Sequence, residues 1–104
     1  MHLGVLAGLS KKMIYETLVN SAATSTMLKK RMPLMIKGNY NPPTASFNIF
    51  MKDINIIRNF ISDKKTSLPT FEASSSIYDI ASTQLSDKID TAAVYEIIKK
   101  KGKI

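Results

Sequence analysis

Cysteine and tryptophan are absent from this sequence, and histidine occurs once, at position 2. The lack of cysteine excludes a disulfide framework, a thiolate metal site and a thiol nucleophile, and it is compatible with a reducing compartment. A metal centre or a Ser-His triad needs more imidazole than one residue at the frayed start of the chain supplies. No metal ligand and no catalytic residue is therefore assigned. The four glycines stand at Gly4, Gly8, Gly38 and Gly102, so no G-x-G-x-x-G or P-loop arrangement exists to cradle a pyrophosphate. Long apolar runs are missing too. The stretch Leu3 to Leu9 falls far short of the roughly 20 residues of a bilayer span and follows no positive charge. Neither a membrane segment nor a signal peptide is expected, and a cytoplasmic location follows as an expectation.

What is present reads as one globular domain over residues 1–104, with 44% hydrophobic and 22% charged residues. The net charge of +7 raises the question of nucleic acid, but Lys99, Lys100, Lys101 and Lys103 carry four of those charges in the last six residues. Cations there complement a helix C-terminus, which argues against nucleic acid as a partner. Asp53, Asp63, Asp79, Asp87 and Asp90 have no spacing that implies a shared acid/base site. They read as helix caps or solvated positions.

Apolar residues recur near a period of 3.6, and no segment sustains a period of two, so the expected fold is all-α, a single helical bundle. A stub at about 1–8 precedes a helix at about 11–21 capped by Ser10, with Ile14, Leu18 and Val19 inward. A short helix capped by Ser25 or Thr24 runs through Met27, Leu28 and Arg31 and is expected to stop before Pro33. Residues 37–43 form a loop. On the helix expected over 46–65, Phe47, Phe50, Met51, Ile54, Ile57 and Ile61 make a core face. Ile49, Ile56 and Phe60 make a second apolar stripe, which predicts a central helix covered on two sides. Lys52 shares the remaining polar arc with Asn48, Asn55, Asn59 and Asp63. A point charge among carboxamides suits a carboxylate or phosphate ligand, though a solvated stripe has the same pattern. Arg58, at the edge of the apolar face, has no account from spacing. Leu68-Pro69 leads into a helix from Thr70 to about Gln84, whose face is Phe71, Ser74, Ser75, Tyr78 and Ala81 or Ser82. A polar break at 87–90 precedes a last helix at about 91–100, capped by Asp90, with Val94, Ile97 and Ile98 inward.

The order Gly8-Leu9-Ser10-Lys11-Lys12-Met13-Ile14-Tyr15-Glu16, Lys30-Arg31-Met32-Pro33-Leu34-Met35 and Asn48-Ile49-Phe50-Met51-Lys52-Asp53-Ile54 resembles the C-terminal helical domain of the β-hydroxyacid dehydrogenase family. Leu68-Pro69 and Asp90-Thr91-Ala92-Ala93-Val94 continue the resemblance in the same order, over nearly the whole chain. It implies a bundle of the 6-phosphogluconate-dehydrogenase C-terminal type. It also implies NAD or NADP as cofactor, a small hydroxyacid substrate in the parent enzyme, and Lys52 as a cofactor contact with Asp53 ordering the site beside it. The string Ile-Phe-Met-Lys-Asp is nearest to the threonate type. The implied partner is an upstream Rossmann domain or a second copy of the chain. The family's dinucleotide domain and its acid/base lysine would lie upstream of Met1, so the isolated chain is expected to be inactive. Leu85-Ser86-Asp87-Lys88 replaces the family's glycine-containing turn, and Thr26-Met27 replaces its aromatic after Ser25, which marks a divergent member or one no longer under functional constraint. The alternative expectation is a stand-alone helical interaction module or a degraded gene remnant.

Overall fold

A computed structural model describes residues 1–102; the last of the tail lysines, Lys103, lies outside the described residues. Six α-helices follow one another, α1 (His2–Leu6), α2 (Lys11–Val19), α3 (Thr26–Lys37), α4 (Phe47–Asp63), α5 (Pro69–Gln84) and α6 (Val94–Lys101), with a 3-10 turn at Thr91–Ala93 opening the last. No strand occurs among the described residues, as the 3.6 period predicts. Ser10 and Ser25 cap α2 and α3 by accepting from the backbone N–H of Met13 and Leu28 at 3.1 and 2.9 Å. Asp90 caps the 3-10 turn by accepting from Ala92 N–H at 2.9 Å.

The core sits where α3, the start of α4, α5 and the segment entering α6 meet. Tyr40, Phe47, Ala81, Ala92, Ala93, Val94 and Ile97 are buried there, with Met35, Tyr78 and Leu85 packed against them. Phe47 and Ile97 are each 1% exposed. Burial of that completeness stabilises by roughly 1.5–3 kcal/mol per side chain before entropy is counted. The alanines at 92 and 93 let the 3-10 turn lie close against α3, and Ala81 is fully buried on α5. At the far edge Gly4 lets α1 lie on α2 without disturbing its neighbour: a Cβ there would stand 2.7 Å from Ile14 Cδ1 and would have to push that side chain aside.

Three expectations are corrected. The third helix does not stop before Pro33 but runs four residues past it to Lys37. Proline has no N–H for the Lys29 carbonyl, yet Met32 is buried and Leu34 and Met35 pack on the core, and that burial offsets the lost bond. Termination falls instead at Gly38, whose φ of 66° is the left-handed conformation of a helix C-cap. Second, α4 is not covered on two sides. Phe47 and Ile54 are buried and Phe50, Met51 and Ile61 half-buried, but Ile57 is exposed, and Ile49, Ile56 and Phe60 are 54%, 58% and 61% exposed. The helix lies on the outside of the bundle against α5, so only one of its apolar stripes meets the core. Third, His2 is not frayed. Its ring packs against Gly102 at the end of α6, with Nε2 buried and without a partner among the described residues. Smaller differences follow the same geometry: Ser74 and Ser82 on α5 face solvent, and Ile98 sits at the rim of the core, 37% exposed.

Candidate functional site

The two connections flanking the α4 entry are zipped together by backbone. Asp90 N–H donates to Tyr40 O at 2.9 Å and Thr91 N–H to Ala45 O at 3.0 Å. The orphan N–H groups of the first turn of α4 are met by the same segment, Phe47 donating to Ile89 O at 3.2 Å and Asn48 to Asp87 O at 3.1 Å. The polar break before the last helix therefore holds α4 by its N-terminus. Ser46 supplies no side-chain cap, its hydroxyl pairing with the Asn48 carboxamide instead.

Asp90 is the hub of this joint. Fully buried, its Oδ2 accepts from Thr44 N–H at 2.9 Å, Thr44 Oγ1 at 3.0 Å, Ala45 N–H at 3.3 Å and Arg31 Nη1 at 2.7 Å. Burial alone pushes this carboxyl up, and the hydrogen bonds from Ala92, Thr44 and Ala45 outweigh it and hold the group below the usual carboxylate range. Asp90 is thus the cap the sequence suggests, and more than a cap, because it ties α3 to the entries of α4 and α6. Tyr40 adds a second tie, donating from its hydroxyl to Glu96 Oε1 at 2.7 Å. Burial and this carboxylate both push the phenol up.

Along α4 the joint fixes where Lys52 stands, in the second turn and facing solvent. Its Nζ lies 3.4 Å from Asp53 Oδ1, and the two side chains are 66% and 55% exposed. Asn48, Asn55 and Asn59 are exposed on the same helix. The stripe read from the sequence is real, and it is an open surface bordered by the uncovered Ile49, Ile56 and Phe60. Lys52 brings an ammonium donor, the asparagines bring donors and acceptors, and the Asp53 carboxylate beside Lys52 is engaged with its ammonium. No cluster of metal-ligating side chains exists among the described residues.

Arg58, unexplained by spacing, forms a two-pronged pair with Asp79 on α5, Nη1 to Oδ1 at 2.9 Å and Nη2 to Oδ2 at 2.7 Å. That pair clamps α4 to α5 and raises the guanidinium pKa, chiefly through the hydrogen bond to Asp79. Its partners are 21 residues apart on different helices, and the one sequence signal was an arginine at the border of an apolar face.

The geometry is that of a helical domain with one exposed, cation-bearing face on a clamped helix. Comparison with known proteins gives it a family. The family model for the NAD-binding domain of NADP-dependent 3-hydroxyisobutyrate dehydrogenase matches residues 1–98. The L-threonate dehydrogenase of Cupriavidus necator is 32% identical over 97 residues, 93% of this chain and 32% of that enzyme. The L-threonate dehydrogenase of Escherichia coli K12 is 29% identical over the same coverage. A crystal structure of 3-hydroxyisobutyrate dehydrogenase from Salmonella typhimurium superposes with a TM-score of 0.84 at 26% identity, covering 92% of this chain and 33% of that one. The chain belongs to the family of the NAD-binding helical domain of NADP-dependent 3-hydroxyisobutyrate dehydrogenase. It spans about a third of the length of the curated relatives it matches.

Proposed function

We propose that this chain is the C-terminal, cofactor- and substrate-closing domain of an NAD(P)-dependent hydroxyacid dehydrogenase of the threonate type, with Lys52 as its contact to the dinucleotide. The observation that carries this reading is the combination at α4. A lysine on a solvated carboxamide stripe stands beside uncovered apolar residues, on a helix whose position is fixed at its N-terminus by Asp90 and along its length by Arg58. Exposed isoleucine and phenylalanine at that density mark a face that another body covers. In this reading that body is an upstream Rossmann domain or a second copy of the chain.

The residues present fit one edge of a dinucleotide and no more. When bound, the cofactor accepts a hydride from a small hydroxyacid. Lys52 would donate to an oxygen of the cofactor and hold it against the domain, Asp53 would keep the ammonium from swinging away, and the asparagines would orient it or its waters. The glycine turn that binds a pyrophosphate and the acid/base lysine of the family have no counterpart in these 104 residues, so the chain by itself transfers no hydride. A cytoplasmic location belongs to the same reading.

The test joins this chain to the upstream two thirds of the Cupriavidus necator enzyme. The chimera reduces the dinucleotide with L-threonate as donor, whereas the chain alone does not. A folded, dimeric chimera without activity on any small hydroxyacid contradicts the reading. The exposed stripe of Ile49, Ile56 and Phe60 also favours a second reading, a helical module whose partner is another protein. In that case sedimentation mass rises with concentration, NADH changes nothing, and the chimera stays inactive.

A further inference from the structure

Between α3, α4 and α5 lies a recess of about 210 Å³ that the Lys52 face does not include. Met27, Met35, Phe50 and Ala92 form its apolar walls, and Arg31, Tyr78 and Thr91 are the polar residues on it. A second hollow of about 330 Å³, lined in part by Met32 and Leu28, shares Met27, Arg31, Met35 and Tyr78 with it, so the two form one groove along α3. An enclosed apolar void of about 150 Å³ already holds benzene, so the smaller recess has room for one ring and a polar head.

Arg31 and Tyr78 have donors to spare. Arg31 gives Nη1 to Asp90 and Thr44 and Nε to the Met27 sulfur at 3.3 Å, while Nη2 makes no hydrogen bond among the described residues. The Arg31 side chain is 14% exposed. It is held on one side by the saturated Asp90 carboxylate and open on the other. The Tyr78 hydroxyl also makes no hydrogen bond among the described residues and is not buried out of reach of water. Both residues line the recess and the adjoining hollow, so the two groups face the same space. The Tyr78 ring rests on Phe50, with centroids 4.8 Å apart, so its hydroxyl is presented by a fixed aromatic wall.

We propose that this recess binds a small organic carboxylate with an apolar body of about the size of benzoate, its oxygens on Arg31 Nη2 and Tyr78 Oη and its body between Met27, Met35 and Phe50. An apolar cleft with a few convergent polar groups is the usual form of a small-molecule site. The acceptor must match two donors, one of them charged, and a carboxylate does so with both oxygens. Methionine walls adapt to the body without a rigid shape requirement. The net charge of +7 adds a general attraction for an anion.

The test is an amide NMR titration of the full chain with sodium benzoate, against benzamide and sodium chloride at matched ionic strength. Expected are saturable shifts at Met27, Arg31, Ala45, Phe50 and Tyr78, with a dissociation constant in the range of about 0.1–5 mM. Tyr78→Phe weakens binding about threefold, and Arg31→Lys, which keeps a charge for Asp90, weakens it about tenfold, in line with a neutral and a charged hydrogen bond. Benzamide binds about tenfold more weakly for the same reason. Shifts that stay linear, that scatter over the lysines of α6, or that benzamide reproduces at equal concentration overturn the proposal. Should Arg31→Lys disturb the fold, Tyr78→Phe, which removes a hydroxyl with no internal partner, decides the matter together with benzamide: unchanged benzoate binding in that variant, or equal binding of both probes, overturns it.

Discussion

Arg31 Nη1 lies 2.7 Å from Asp90 Oδ2, joining α3 to a residue 59 positions later whose side chain is wholly buried. Around that contact the chain gathers the entry of α4 and the entry of α6. Asp90 would be expensive to bury alone, and here five hydrogen bonds from other groups compensate it. The consequence for function is positional. Because α4 is held at its first turn by this joint, Lys52 in its second turn presents to solvent on a rigid helix rather than on a loop.

Removing that carboxylate should be the most damaging polar change in the chain. Asp90→Ala leaves Arg31 without its counter-charge and strands the N–H groups of Thr44, Ala45 and Ala92. The expected loss is about 3–5 kcal/mol, measured by urea unfolding. The pH dependence has a definite sign. A carboxyl held below its unfolded value of about 3.9 contributes stability that is present above that pH and lost as pH falls through the folded value. Glu96 is also lowered, the hydrogen bonds from Lys99 and Tyr40 outweighing the burial that raises it, and it acts in the same direction. The fall in unfolding free energy as pH drops below about 4 should therefore be smaller in Asp90→Ala, although that variant is the less stable at neutral pH.

The Arg58–Asp79 clamp should matter far less despite its good geometry. Its side chains are 35% and 46% exposed, so solvent screens the pair. A double-mutant cycle with Arg58→Met and Asp79→Ala should give a coupling of about 0.5–1 kcal/mol that shrinks in high salt. A coupling several times larger and insensitive to salt would show that this part of α4 is drier than the structure makes it.

Two isoleucines two positions apart on α4 separate core from face. Ile54 is 4% exposed and Ile56 is 58% exposed. Ile54→Ala should cost about 2–5 kcal/mol, the loss of a filled core position. Ile56→Lys should change stability by no more than about 0.5 kcal/mol, because that side chain is mostly exposed and the lysine stem can cover the same surface. Thermal unfolding of the two variants side by side checks this. If Ile56→Lys were as harmful as Ile54→Ala at a protein concentration where the chain is monomeric, the stripe would be covered within the monomer.

The helical class and the caps at Ser10, Ser25 and Asp90 were legible in the sequence because each is a local signal, a 3.6 period or an oxygen one residue before a helix. Pro33 misled because its local penalty is real and only burial of Met32 and its neighbours, a tertiary fact, overrides it. The second stripe of α4 misled for a related reason. Periodicity records that Ile49, Ile56 and Phe60 share a side of the helix, and it carries nothing about whether a neighbour lies there. At the candidate site the sequence placed Lys52 and its asparagines on one face, which the helix reproduces. It did not foresee the Asp90 hub or the Arg58–Asp79 clamp, since ion pairs between residues 59 and 21 positions apart leave no periodic trace.

The central claim is that Lys52 meets the dinucleotide, and steady-state kinetics of the chimera described above tests it most directly. Lys52 is largely exposed and its nearest ionic contact is its neighbour, so Lys52→Ala should melt with the unsubstituted protein. The account predicts a rise of about tenfold or more in KM for the dinucleotide, the loss of one charge-assisted hydrogen bond, with KM for L-threonate little changed and partial recovery in Lys52→Arg. An unchanged KM for the dinucleotide in a folded, active Lys52→Ala chimera would contradict it.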